Sequence, residues 1–300
     1  MEKILIVGPA SQILGIRIAQ DLNIKYFNTE SKTFPDGENY LRINLDNESL
    51  IEGKEVIIVQ STGPSSSGNQ NARLFELLMM IDAVKRMGAE KIVVVIPYLA
   101  YARQDKIFRP GESKFANLVL CLIDSMRIDE LYVVDVHAPN ILEEVQCKWI
   151  NIDSMRILAD YIKSLDVKDI VVVAPDKGAV ERSKAFAKHF GEDVPVDYFE
   201  KVRDVKTGEI TMSGKLSLKN KDVVVSDDII ATGGTMAKAI KLSKESGANK
   251  VFAVATHALL LQNAKFRIIK AGADAIIGTD SIDNEASKVS LSKAIVDYLK

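Results

Sequence analysis

The chain has 300 residues, 47% of them apolar, enough to bury two cores of ordinary domain size. Its 39 basic and 41 acidic residues leave a net charge of −2, which gives no global pull toward nucleic acid or a membrane, so small anionic ligands must be drawn by local basic groups. Two cysteines, Cys121 and Cys147, imply no disulfide framework and point to a reducing, cytoplasmic setting, and no window approaches a membrane span.

The opening Met-Glu-Lys-Ile-Leu-Ile-Val reads as a first strand rather than a signal peptide, because its apolar run is short and no cleavage site follows. Strand-like runs recur at Ile4–Val7, Val56–Gln60, Ile92–Pro97, Leu131–Val136, Ile170–Ala174, Val223–Ser226, Val251–Thr256 and Ala275–Gly278. Helical patterns lie between them. Leu74, Leu77, Leu78, Ile81 and Val84 share one face of a helix that Gly88 should end, and a later helix should run from about Met236 to Gly247. This alternation predicts α/β architecture with parallel sheets flanked by helices.

Several segments just past these strands carry candidate chemistry. Phe34-Pro-Asp-Gly-Glu38 is a turn presenting one aromatic and two acids; Phe34 could stack on a base, although a turn with a buried Phe is the plainer reading. Pro-Ser-Ser-Ser-Gly at 64–68 reads as a solvated turn with no assigned chemistry. Arg103-Gln104 follows a buried strand and can pair a triphosphate and hydrogen-bond a ribose or base, against the plainer reading of a surface Arg-Asp pair with Asp105. Asp135 and His137 share one side of a strand end and can hold Mg²⁺ or a phosphate. Asp176, in Pro175-Asp-Lys-Gly178, is placed either to bind a metal or ribose or to cap a helix. Lys201 and Arg203 share a face of an extended segment that could close over a polyphosphate or be a solvated hairpin arm.

The richest stretch is Asp222 to Thr235. A β-branched strand, Val223 to Val225, leads into Asp227 and Asp228, then into a small-residue loop that opens a helix. Thr232, Gly233, Gly234 and Thr235 bring backbone N–H groups and two hydroxyls to a helix N-terminus, a ready phosphate site. The acid pair can hold sugar hydroxyls or Mg²⁺, so a phosphorylated sugar satisfies both parts.

The chain also repeats itself. Gly88-Ala-Glu-Lys-Ile-Val-Val-Val matches Gly247-Ala-Asn-Lys-Val-Phe-Ala-Val, and Tyr26-Phe27 with Gly37-Glu38 matches Tyr198-Phe199 with Gly208-Glu209. Where the second half has its Asp-Asp loop, the first has Val56-Ile-Ile-Val-Gln-Ser-Thr-Gly. A duplicated domain whose first copy has lost its acids is expected, with domains at 1–145 and 146–300.

These motifs together resemble the ribose-phosphate pyrophosphokinase family of the phosphoribosyltransferase-like superfamily, over nearly the whole chain. The resemblance implies two tandem type I phosphoribosyltransferase-like domains and transfer of a diphosphoryl group from ATP to ribose 5-phosphate. It implies that Arg103, Gln104 and His137 contact ATP, and that Phe34, Asp36 and Glu38 hold its adenine from a neighbouring subunit of a homo-oligomer. It implies Mg²⁺ near Asp135, His137 and Asp176, Lys201 and Arg203 as catalytic cations, and Asp227, Asp228 and Thr232 to Thr235 around ribose 5-phosphate. Three departures from the family pattern are Ala231 in place of an acid, Lys177 in place of a small residue, and Leu259-Leu-Leu261 after Thr256-His257. A phosphoribosyltransferase using a nucleobase, and a non-catalytic relative, are the rival expectations. The look-alike at Gly208 to Gly214-Lys215 has the wrong spacing for a nucleotide P-loop.

Overall fold

Unbroken apolar, β-branched runs are suited to strands covered on both faces, and the two central ones are buried throughout. Val56, Ile57, Ile58 and Val59 are all 0% exposed, as are Val223, Val224 and Val225. The computed structural model describes residues 1–65, 68–203, 210–213 and 217–300, with the backbone alone at 200–203 and 210–213. The expected Gly208-Glu209 match and Lys215 lie outside the described residues.

In chain order the first half holds β1 (Lys3–Val7), α1 (Gln12–Leu22), β2 (Lys25–Thr33), β3 (Asn39–Ile43), β4 (Glu55–Val59), α2 (Gln70–Arg86), β5 (Lys91–Ile96), α3 (Phe115–Ser125), β6 (Glu130–Val134) and β7 (Lys148–Ile152). The second half holds α4 (Met155–Lys163), β8 (Val171–Ala174), α5 (Val180–Lys188), β9 (Val196–Tyr198), β10 (Glu200–Arg203), β11 (Ile210–Ser213), β12 (Val223–Ile230), α6 (Gly234–Glu245), β13 (Val251–Ala258), α7 (Ala264–Lys270), β14 (Ala275–Thr279), β15 (Ser287–Val289) and α8 (Ser292–Leu299). Among the described residues, one sheet runs β3-β2-β1-β4-β5-β6-β7 and another β15-β14-β13-β12-β8-β9. Pairing is parallel except in the β2–β3 and β10–β11 hairpins. Helix α2 ends as its pattern predicts, with Gly88 at φ 81° just beyond the cap.

The chain forms two compact units, Met1–Asp153 with Asp280–Asn284 and Ser290–Lys300, and Ser154–Thr279 with Glu285–Val289. The first therefore extends past the expected limit at 145 and takes back the C-terminal helix. Two contacts account for this. Strand β7 pairs with β6, and α8 packs on α1, where Ser292 Oγ donates to Asp21 Oδ2 at 2.7 Å.

The repeat appears as matched hydrogen bonds. Gly53 N donates to Gly88 O at 2.8 Å, and Asn220 N to Gly247 O at 3.0 Å. Asp129 Oδ2 accepts from Ile92 N at 2.7 Å, and Asp274 Oδ2 from Val251 N at 2.7 Å. Counting along β4 and β12 from the first match, Gln60 and Ser61 stand where the second copy has Asp227 and Asp228. The second residue past β1 is Pro9; past β8 it is Asp176.

Candidate active site

Strand β12 outruns its neighbour β8, with which it pairs only as far as Val225, and continues beside β13 to Ile230. Asp227 and Asp228 thus lie on the strand itself, beyond the end expected from sequence, because β13 supports them from one side (Asp227 opposite Ala255). Helix α5 brings Arg182 across: its Nη1 is 2.6 Å from Asp228 Oδ1 and 3.8 Å from Asp227 Oδ1. Asp228 is 4% exposed, and its backbone N–H donates to Asp227 Oδ1 at 2.9 Å. Burial, and then the neighbouring Asp228 carboxylate, push the Asp227 carboxyl up to about 8, while Arg182 works against both.

The strand then feeds a loop whose edges are fixed by backbone bonds, Leu260 N to Ile230 O at 3.1 Å and Leu261 N to Ala231 O at 2.9 Å. Arg267 on α7 donates to the Thr232 carbonyl. Gly233 occupies the N-cap of α6 at φ 70°, a left-handed conformation that costs glycine least, and a Cβ there would press on Ile268 at 3.0 Å. No side chain caps α6, so the N–H groups of its first turn stay available. A Cβ on Gly234 would meet nothing within 4 Å. Thr232, Gly234 and Thr235 are exposed. The result is an open donor cradle beside an acid pair of which Asp228 is buried and Asp227 half-buried.

Asp176 opens a short 3-10 turn beyond β8, and its Oδ1 accepts from Ala179 N at 3.2 Å. The capping reading of this residue is therefore realised, with the second carboxylate oxygen left for another partner. Lys201 and Arg203 lie on β10, opposite Met212 and Ile210 in the hairpin; their side chains are outside the described residues.

In the first unit the remaining candidates sit past strand ends or at a hairpin tip. Phe34, Asp36 and Glu38 form the β2–β3 turn, closed by Phe34 N to Glu38 O at 2.7 Å and Glu38 N to Asp36 Oδ1 at 3.1 Å. Phe34 is 41% exposed and meets Tyr40 edge-on, so the expectation of a buried Phe is overturned. The hairpin projects polar flanks that offer the ring no core to enter. Arg103 and Gln104 are exposed on a turn held by Gln104 N to Tyr101 O at 2.8 Å. Asp135 and His137 are half-buried past β6, and Asp135 adopts φ 38°, a strained conformation common at functional sites. The sequence-named residues thus fall into one set on each compact unit.

The chain matches two family models, the N-terminal domain of ribose phosphate pyrophosphokinase over residues 3–127 and the phosphoribosyl transferase domain over residues 146–282. It is 38% identical to a ribose-phosphate pyrophosphokinase of Methanobrevibacter smithii, covering 99% of both chains. It is 37% identical to that of Pyrococcus abyssi, covering 100% of this chain and 98% of the other. The crystal structure of phosphoribosylpyrophosphate synthetase from Mycobacterium smegmatis aligns with TM-score 0.86 at 29% identity, over 100% of this chain and 98% of that one. The chain belongs to the ribose-phosphate pyrophosphokinase family. It is an enzyme of phosphoryl transfer with the two-domain α/β fold of that family.

One residue of this family member's site escaped the sequence reading. Arg182 lies six residues after Asp176 in the same segment and drew no role, because only the packing of α5 against β12 brings it to Asp228. Among the described residues no group of three or more His, Cys, Asp or Glu side chains could hold a metal ion by itself. The donors still fit a hard divalent cation. Mg²⁺ commonly takes one or two carboxylates and fills its octahedron with phosphate oxygens and water, and Asp176 keeps one oxygen beyond its cap.

Proposed function

We propose that the chain transfers the β,γ-diphosphoryl group of ATP to the C1 hydroxyl of ribose 5-phosphate, releasing AMP and 5-phosphoribosyl 1-pyrophosphate. The observation that carries this reading is the uncapped N-terminus of α6 at Gly233 and Gly234 beside the Asp227–Asp228 pair. Its free N–H groups suit a terminal phosphate, and the acid pair suits the hydroxyls of a furanose. Asp227, Asp228 and Thr232 to Thr235 would thus hold ribose 5-phosphate, with Arg182 fixing the acid pair's orientation.

Arg103, Gln104 and His137 would bind ATP, and Phe34, Asp36 and Glu38 would take its adenine, supplied to a neighbouring subunit of a homo-oligomer. The exposure of Phe34 on a hairpin tip supports that donation. Asp135 and His137 on the first unit, and Asp176 on the second, would each serve as Mg²⁺ ligands, and the ion would supply positive charge to offset that of the phosphates. Lys201 and Arg203 would meet charge that grows on the transferring group in the transition state. The domain holding the ATP contacts would be the degenerate first copy, and the setting cytoplasmic.

The test is a coupled assay for AMP with ATP in the presence and absence of ribose 5-phosphate. AMP formation that depends on the sugar phosphate is expected. Consumption of phosphoribosyl pyrophosphate with a nucleobase, and no AMP in the first assay, would overturn the reading in favour of phosphoribosyl transfer.

A further inference from the structure

Open parallel sheets bind ligands outside the carboxyl ends of their strands, where the strand order reverses. In the second unit that point lies between β8 and β12, where Asp176, Arg182 and the acid pair converge. In the first unit it lies between β1 and β4, and a cavity of about 300 Å³ sits there. Pro9, Ala10 and Gln12 line it from beyond β1, Ser61 and Ser65 from beyond β4, and Asp283 from a segment of the same unit. Pro64 and Ser65 belong to the Pro-Ser-Ser-Ser-Gly stretch, which carries no chemistry by its sequence alone.

The repeat makes this cavity the counterpart of the sugar-phosphate site, with its acids replaced. Gln60, at the position of Asp227, is spent on the protein: Oε1 accepts from Ala10 N at 3.1 Å and Nε2 donates to Glu76 Oε2 at 3.2 Å. Ser61, at the position of Asp228, donates through Oγ to Ser281 O at 2.6 Å and so keeps lone pairs to accept with. The phosphate device is shut as well, since Asn69 Oδ1 takes Ala72 N at 3.0 Å and caps α2. Among the described residues lining the cavity none is cationic, and the exposed Asp283 carboxylate would repel a phosphate. What remains is a carboxylate that accepts from vicinal hydroxyls, an exposed Gln12 amide that donates and accepts, and a serine acceptor. The volume is at the small end for ligand sites, suited to a pentose or a nucleoside.

We propose that this first-copy cavity binds the cis-diol of an uncharged ribose ring, either as free ribose or as a nucleoside. The proposal rests on the sugar-phosphate reading of the second copy's loop and not on the transfer of a diphosphoryl group. Its test is calorimetric titration of the full chain with ribose, with adenosine and with 2′-deoxyadenosine, repeated for Asp283→Asn and Ala10→Leu. Saturable binding of adenosine, or of both adenosine and ribose, is expected. Asp283→Asn should weaken it about tenfold, as should the missing 2′-hydroxyl, since a hydrogen bond to a charged group is lost. Ala10→Leu, which fills the cavity, should abolish it. Binding of ribose as well as adenosine assigns the sugar itself as ligand, and adenosine alone assigns the nucleoside. Circular dichroism and AMP formation report that each variant is folded and active, independently of the cavity. Unchanged affinity in both folded variants, or no saturable binding of either ribose-bearing probe, overturns the proposal.

Discussion

The two copies of the repeat run the same backbone past the same point and do opposite things there. In the second, the strand delivers two acids and no side chain caps the following helix, so the N–H groups of its first turn stay available. In the first, Gln60 and Ser61 turn into the protein and Asn69 covers the helix start. The hairpins differ likewise. Counting from the matched Tyr-Phe pairs, Lys201 and Arg203 of β10 stand where β2 has Thr29 and Ser31. Thr29 is buried and donates to Val7 O at 3.0 Å. A parallel α/β scaffold therefore fixes where a ligand can sit, and a handful of side chains past the strand ends decide whether a phosphate is admitted.

If that division holds, giving the second hairpin the first one's neutrality should have the largest effect. Lys201→Ala should lower kcat about a thousandfold while KM for ribose 5-phosphate moves only a few-fold, because the cation acts on charge that develops in the transition state. Steady-state kinetics in which KM carries the loss would make the loop a binding element only.

The phosphate cradle offers a matched pair of changes. Gly234 has open space where a Cβ would go, so Gly234→Val should leave the fold intact and obstruct only the bound phosphate. KM for ribose 5-phosphate should rise about thirtyfold, near 2 kcal/mol. At the matching helix start of the first copy, Asn69→Ala removes the cap on Ala72 N and should cost about 1 kcal/mol of stability with unchanged KM. Thermal melts and substrate titrations on both variants separate the two roles; an unchanged KM in Gly234→Val would close the second cradle too.

Much of this contrast is legible in the amino-acid sequence alone. The buried strands announced themselves as β-branched runs, and the repeat as matching segments around Gly88 and Gly247. Asp227, Asp228 and the Thr-Gly-Gly-Thr loop were readable because their spacing is itself the site. What the sequence hid follows from tertiary contact. The β2–β3 hairpin is built of exposed polar residues with no apolar alternation, so its nine-residue first strand gave no signal. Arg182 looks like any surface arginine on an amphipathic helix until α5 packs against β12. The role of Gln60 was equally invisible, since its partners Ala10 and Glu76 lie on separate elements. The extension of the first unit to Asp153 and its recovery of α8 depend on pairing and packing that no local pattern encodes.

A pH-dependent effect concerns the proton that the acid pair retains. Burial and Asp228 raise the Asp227 carboxyl from 3.8 to about 8, so the folded chain binds this proton more tightly than the unfolded one. Over that interval the native state is protonated and the unfolded state is not, and stability must fall as pH rises until the folded group also ionises. The contribution is full below the ordinary carboxylate range and gone above about pH 8. Gln60 at the equivalent position of the first copy carries no such dependence. Asp227→Asn should therefore flatten the decline in denaturation free energy between about pH 5 and 8 by roughly 1–2 kcal/mol, discounted because the side chain keeps some solvent contact. Urea titrations at several pH values decide it. A decline of unchanged slope in Asp227→Asn would place the proton elsewhere and leave the acid pair ionised, held so by Arg182 alone.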